Sequence, residues 1–124
     1  MAKTILIVED DDFLSGLEAT KLKKKGYEVL TASSGTDALK LIDSKSQIDL
    51  ILLDLLLPDI DGFMVLEKIR ENRAVRPIPT IVFSNLSEEK DIEHVKKLGI
   101  SNFMIKSNFT LDELLERVKE LIGE

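Results

Sequence analysis

Leu50 to Pro58 reads LILLDLLLP. Eight of these nine residues are apolar and the ninth is Asp54. Four apolar residues, Leu50 to Leu53, are too few for a buried helix. They suit a strand of a parallel sheet, which is covered on both faces and so runs apolar without alternating. Asp54 is then the first residue to leave the sheet's edge. A carboxylate beside such a run is costly to desolvate unless a cation or hydrogen bonds compensate it. We therefore expect Asp54 to be partly buried and its charge to be matched by other groups.

Four similar runs lie along the chain: Ile5 to Val8, Val29 to Ala32, Thr80 to Phe83 and Phe103 to Ile105. Between them the spacing turns helical. The last segment is clearest, with Leu111, Leu114, Leu115, Val118, Leu121 and Ile122 on one stripe behind a Thr110–Glu113 capping box. Ser34 and Asp37 start a helix carrying Ala38, Leu41 and Ile42. Residues 12–25 and 62–72 supply two more. The segment 87–98 has only a thin stripe of Ile92, Val95 and Leu98, and is expected to pack least firmly.

Five strands alternating with five helices predict an α/β fold, a doubly wound (βα)5 three-layer sandwich. Right-handed crossovers put helices on both faces of a five-stranded parallel sheet, in order 2-1-3-4-5. Ligands of such sheets bind outside the carboxyl ends of the strands. Glu9, Asp10, Asp11 and Asp12 follow the first strand, Asp54 the third, Ser84 and Asn85 the fourth, and Lys106 the fifth. With strands 1 and 3 adjacent, Glu9, Asp10 and Asp54 converge although they are far apart in the chain. Three carboxylates at one spot repel one another unless a cation intervenes. Hard oxygen ligands suit Mg²⁺. With Lys106 and the Ser84 hydroxyl opposite, the constellation fits a dianionic tetrahedral group, a phosphoryl group.

Composition narrows the classes. The 124 residues suit one compact domain, residues 1–124, with 44% hydrophobic and 32% charged residues. Cysteine is absent and there is one histidine, which excludes a disulfide framework and a Cys/His metal cluster. The net charge of −6 argues against direct nucleic-acid binding. The basic run Lys21, Lys23, Lys24 and Lys25 reads as the C-terminal turn of a helix. Four acids in succession would repel a nucleotide phosphate, unlike the Gly-rich loops of dinucleotide sites. The run Ile5 to Val8 is too short for a secretion signal, and nothing approaches membrane-spanning length, so a cytoplasmic location without membrane contact is expected.

The stretches ILIVEDD, LILLDLLLPDIDG, PTIVFSN and NFMIKS, in this order and at these separations, resemble a bacterial two-component response-regulator receiver domain of the chemotaxis-receiver-like, single-domain kind, with its flavodoxin-like fold. The resemblance runs from Lys3 to Leu121. It implies that Asp54 accepts a phosphoryl group from a phosphohistidine on a sensor histidine kinase or histidine phosphotransfer protein. Glu9, Asp10, Asp54 and the backbone carbonyl of Leu56 would hold Mg²⁺, and Lys106 would pair with a phosphoryl oxygen. Ser84 and Phe103 would act as the switch pair. Output would pass through the face formed by the fourth helix, fifth strand and fifth helix to a downstream protein target. His94 reads as a surface residue, since phosphodonor histidines in such pathways belong to the partner.

Three positions depart from the common pattern. Ser107 follows the site lysine where proline in a cis peptide is usual, and a non-proline cis bond costs about 2.5–4 kcal/mol, so a trans Lys106–Ser107 peptide is expected. Asn85 stands where a small residue usually borders the site. Leu56 and Leu86 occupy rim positions that often carry polar residues, which predicts a slowly hydrolysed aspartyl phosphate. Asn85 and Ser107 leave a phosphorylation-independent docking module as the alternative reading. A turnover phosphohydrolase is disfavoured, because such enzymes place a second Asp two residues after the nucleophile and here that residue is Leu56.

Overall fold

The computed structural model describes residues 2–44, 47–71 and 78–123. The strands are β1 (Thr4–Val8), β2 (Glu28–Ala32), β3 (Leu50–Leu53), β4 (Thr80–Ser84) and β5 (Asn102–Ile105). The helices are α1 (Asp12–Lys24), α2 (Gly35–Ser44), α3 (Gly62–Glu71), α4 (Glu89–Leu98) and α5 (Leu111–Ile122). All strand pairs are parallel and the order is β2-β1-β3-β4-β5. The doubly wound architecture expected from the alternating periodicities is therefore the one observed. Residue 72, expected to close the third helix, lies outside the described residues. Ser84 is the last residue of β4 rather than the first beyond it.

Strand alternation divides the core in two. Leu6, Val8, Ile51, Leu53 and Val82 face α2, α3 and α4, whereas Ile5, Ile7, Leu50, Leu52, Ile81 and Phe83 face α1 and α5. Every residue of β3 is buried, which is why its sequence shows no period. Burial of this apolar surface, worth about 25 cal/mol per Å², fixes the register, since a slip by one residue would exchange the two faces. Val8 pairs with Leu53, and Leu53 with Val82, so neighbouring strands end level with one another at the carboxyl edge.

Helix ends follow local chemistry. Asp11 caps α1, its Oδ1 accepting from Leu14 N at 3.1 Å. The lysine run closes the same helix, and Lys21 pairs with Asp112 at 3.1 Å. The Thr110–Glu113 capping box opens α5. Val95 is the one buried residue on α4, in agreement with its thin apolar stripe. His94 is exposed and stacks on Phe63 of α3 with ring centroids 5.1 Å apart. Among the described residues, no helix is long and apolar enough to cross a membrane.

Candidate functional site at the carboxyl edge of the sheet

Two backbone hydrogen bonds carry the sheet one residue past the strands: Glu9 N donates to Ala32 O and Asp54 N to Val8 O, each at 3.0 Å. The side chains of Glu9 and Asp54 therefore start from adjacent, level positions. Carboxylate oxygens of Glu9, Asp10 and Asp54 come within 4.8 Å of one another. Glu9 and Asp54 are buried and Asp10 is exposed. Because Asp11 takes the cap of α1, Asp10 is left to the cluster.

Asp54 differs from expectation in one respect. Partial burial was anticipated, but the residue is only 4% exposed. The reason is the number of groups that close around it. Ser84 Oγ donates to Asp54 Oδ1 at 2.7 Å, and Leu56 N donates to the same oxygen at 3.0 Å. Lys106 Nζ donates to Oδ2 at 2.6 Å. The same ammonium lies 2.5 Å from Glu9 Oε1, while Glu9 Oε2 accepts from Asp11 N at 3.1 Å. Charge-assisted bonds of this kind are about twice as strong as neutral ones, and here they offset the desolvation of two carboxylates.

Protonation follows from the same contacts. Burial pushes the Glu9 carboxyl up to about 6, with the Lys106 hydrogen bond pulling the other way. Burial alone would lower the Lys106 ammonium, but hydrogen bonds to Asp54 and Glu9 outweigh it and the pKa is raised. Lys106 is thus a fixed positive charge between two acids. One ammonium leaves three clustered carboxylates undercompensated. An all-oxygen donor set with that deficit fits a hard divalent cation such as Mg²⁺.

The remaining anticipated residues are close by. Leu56 is 51% exposed on the rim, and Leu86 is half-buried. Leu86 N reaches Ser84 Oγ at 3.4 Å. Asn85 is exposed beside them. Phe103 pairs with Val82 across the sheet and packs, half-buried, on the α2–α4 side. The described peptide bonds are all trans, Lys106–Ser107 included, and a single 3-10 turn, Lys106–Asn108, leads out of β5.

Glu18 is a residue that the sequence reading missed. It lies on the inner face of α1, 1% exposed, and its Oε1 has no hydrogen-bond partner. Burial, reinforced by the Glu9 carboxylate, pushes its pKa up to about 8, against the pull of Lys106. Its position was legible, because Glu18 stands one helical turn before Leu22 on the buried face.

Comparison with known proteins places these features in a family. Residues 5–119 match the response regulator receiver domain. The chain is 35% identical over 122 residues to the alkaline phosphatase synthesis transcriptional regulatory protein PhoP of Bacillus subtilis, covering 98% of this chain and 49% of that protein. It thus spans about half the length of the first curated relatives it matches. The crystal structure of a CheY-like receiver domain from Methanospirillum hungatei superposes with a TM-score of 0.90 at 28% identity, over 97% of this chain and 93% of that one. The Mn²⁺-bound form of response regulator Rcp1 matches with a TM-score of 0.86 at 28% identity, over 98% and 95% of the two chains.

Proposed function

The chain belongs to the response-regulator receiver family, and from that premise we propose that it is a phosphoryl-accepting switch with Asp54 as the acceptor. One observation carries the reading. Asp54 is a buried carboxylate whose two oxygens are held by Lys106, Ser84 and the Leu56 amide, beside two further acids. A carboxylate so oriented can act as nucleophile toward phosphorus. An Asp54 oxygen attacks the phosphorus of a partner's phosphohistidine. The new P–O bond forms as the P–N bond breaks, and the bonding pair returns to the partner's imidazole. Lys106 offsets charge on the phosphoryl oxygens, where transfer of this kind is chiefly assisted.

Mg²⁺ would be held by Glu9, Asp10, Asp54 and the Leu56 carbonyl, and when bound would neutralise further charge on the phosphoryl oxygens. The Mn²⁺-bound relative is in keeping with such a site. The Ser84 hydroxyl, which donates to Asp54 here, would donate to a phosphoryl oxygen afterwards. That exchange biases β4 and the thinly packed α4, with half-buried Phe103 following. The signal then leaves through the α4–β5–α5 face toward a downstream protein. The donor is a sensor histidine kinase or a histidine phosphotransfer protein, and the setting is cytoplasmic. The chain works as a switch rather than a turnover enzyme.

Leu56 bears on how long the phosphoryl group survives. Its exposed side chain has no polar atom with which to orient an attacking water. Leu56→Asn is expected to shorten the half-life of the aspartyl phosphate, measured as the decay of the adduct after donor removal. An unchanged or longer half-life would remove Leu56 from the account.

The function itself is tested by intact mass. After incubation with Mg²⁺ and a small acyl-phosphate donor the chain should gain one phosphoryl group, and with chelator present the gain should be lost. A folded protein that gains none would point to the docking module, and sustained phosphate release would point to an enzyme.

A further inference from the structure

The segment between β3 and α3 carries Asp54 and Leu56. Its far half is fastened to α2, a helix that supplies no side chain to the site. Asp59 Oδ1 accepts from Gly35 N at 2.9 Å, and Asp59 Oδ2 accepts from Thr36 N at 2.9 Å and from the Thr36 hydroxyl at 2.5 Å. Ser34 completes the helix start, its Oγ accepting from Asp37 N at 3.1 Å and its carbonyl from Ala38 N at 3.0 Å. All four amides that open α2 are therefore satisfied, two of them by a side chain from a distant loop.

A second, independent contact joins the same two pieces. Ile60 lies so close over Gly35 that a Cβ there would stand 2.3 Å from Ile60 Cγ1. At the other end of the segment, Gly62 N donates to Leu55 O at 3.2 Å, and a Cβ on Gly62 would stand 2.4 Å from Leu55 Cα. The hydrogen bonds of Thr36 and Gly35 hold the Asp59 carboxyl well below the usual carboxylate range, so the anion that caps the helix is a permanent one. The loop is thus tied at Leu55 to α3, at Asp59 and Ile60 to α2, and at Leu56 to Asp54 itself.

We propose that Asp59 is a positioning residue for the phosphoacceptor: by clamping the β3–α3 loop to the start of α2, it holds the Leu56 backbone against Asp54. The inference rests on the reading of Asp54 as acceptor with a divalent cation, and α2 becomes a structural support of that site.

The test compares the wild type with Asp59→Ala, Asp59→Asn and the distant cap variant Thr110→Ala. Two quantities are read: amide hydrogen exchange at Leu56 in the free protein, and the Mg²⁺ concentration that half-saturates phosphoryl incorporation. Groups that orient metal ligands typically shift affinity by 10–100-fold. Asp59→Ala should accelerate Leu56 exchange by about tenfold and raise the Mg²⁺ requirement by about as much. Asp59→Asn, whose amide oxygen still accepts, should recover most of both. Thr110→Ala loses a helix cap and stability but should move neither. Acceleration confined to Gly35 and Thr36, or equal shifts in Thr110→Ala, would reduce Asp59 to an ordinary helix cap and overturn the proposal. If Asp59→Ala does not fold, Thr36→Val removes only one of the three bonds and should move Leu56 exchange in the same direction by less. Wild-type exchange at Leu56 in that variant would equally overturn the clamp. A wild-type chain that accepts no phosphoryl group would refute the reading of Asp54, while Leu56 exchange in the free protein would still decide the clamp.

Discussion

Asp54→Asn is expected to abolish the phosphoryl adduct completely while leaving the fold intact. Both halves follow from the contacts of the carboxylate. An amide oxygen can still accept from Ser84 and from the Leu56 amide, so the hydrogen bonds at 2.7 and 3.0 Å survive in kind. Lys106 loses its bond to Oδ2, because an amide NH2 cannot accept, but it keeps its second partner, Glu9. No buried charge is left alone, which is the circumstance that makes removal of one member of a buried pair expensive. The amide is nevertheless no nucleophile toward phosphorus. Glu9 and Asp10 remain, but both oxygens of Glu9 are engaged, one by Lys106 and one by the Asp11 amide. Among the described residues, no lysine or serine is bonded to Asp10 as Lys106 and Ser84 are to Asp54. Urea midpoints that match the wild type, together with an intact mass free of adduct, are the predicted pair of results. A variant that still gains a phosphoryl group would move the acceptor elsewhere.

Glu18→Leu is expected to stabilise the protein, and by more as the pH rises. A glutamate free in the unfolded chain ionises near its ordinary value of 4.5, whereas in the folded protein burial holds the proton until about pH 8. The sign follows directly. Between those two values the unfolded state releases a proton that the folded state retains, so wild-type stability falls as pH rises through this window and levels off above it. Each tenfold difference in proton affinity is worth about 1.4 kcal/mol. The wild type should therefore lose on the order of 3 kcal/mol between pH 5 and pH 8 relative to the leucine variant. Leucine also removes the unpartnered Oε1 and fills its place with apolar surface. Urea unfolding of both proteins at pH 5 and pH 8, with chelator present, measures the difference. Curves that keep a constant separation across this range would show that Glu18 is ionised in the folded state.

What could be read from the sequence, and what could not, divides along one line. Strands β1, β3 and β4 were legible because both faces of the sheet are covered, so burial writes itself into the chain as unbroken apolar runs. The site was legible because a doubly wound sheet delivers the residues at and just past the end of each strand to one edge, which brings Glu9, Asp54, Ser84 and Lys106 together without any knowledge of loops. Capping boxes are local chemistry, and that of α5 stands as the Thr110–Glu113 spacing predicted. Two features escaped because they are not local. The degree to which Asp54 is enclosed depends on how Ser84, at the end of β4, and Lys106, just past β5, close over it. Asp59 stands in PDIDG, and its partners Gly35 and Thr36 lie in a helix start that sequence spacing alone could not pair with it. Glu18 escaped for a different reason. Phe13 and Leu17, both exposed on α1, point the apolar pattern the wrong way, and only the spacing from Leu22 marks the buried face.

The central claim, that this buried carboxylate at the end of β3 is where the phosphoryl group arrives, is tested most directly by reductive trapping. An aspartyl phosphate is an acyl phosphate and is reduced by borohydride to homoserine, whereas phosphate esters and free carboxylates are not. The wild-type chain, treated with Mg²⁺ and a small phosphodonor, reduced and then sequenced by mass spectrometry, should carry homoserine at position 54 and at no other aspartate. Homoserine at Asp10, Asp11, Asp59 or Asp61, with Asp54 unchanged, would contradict the account.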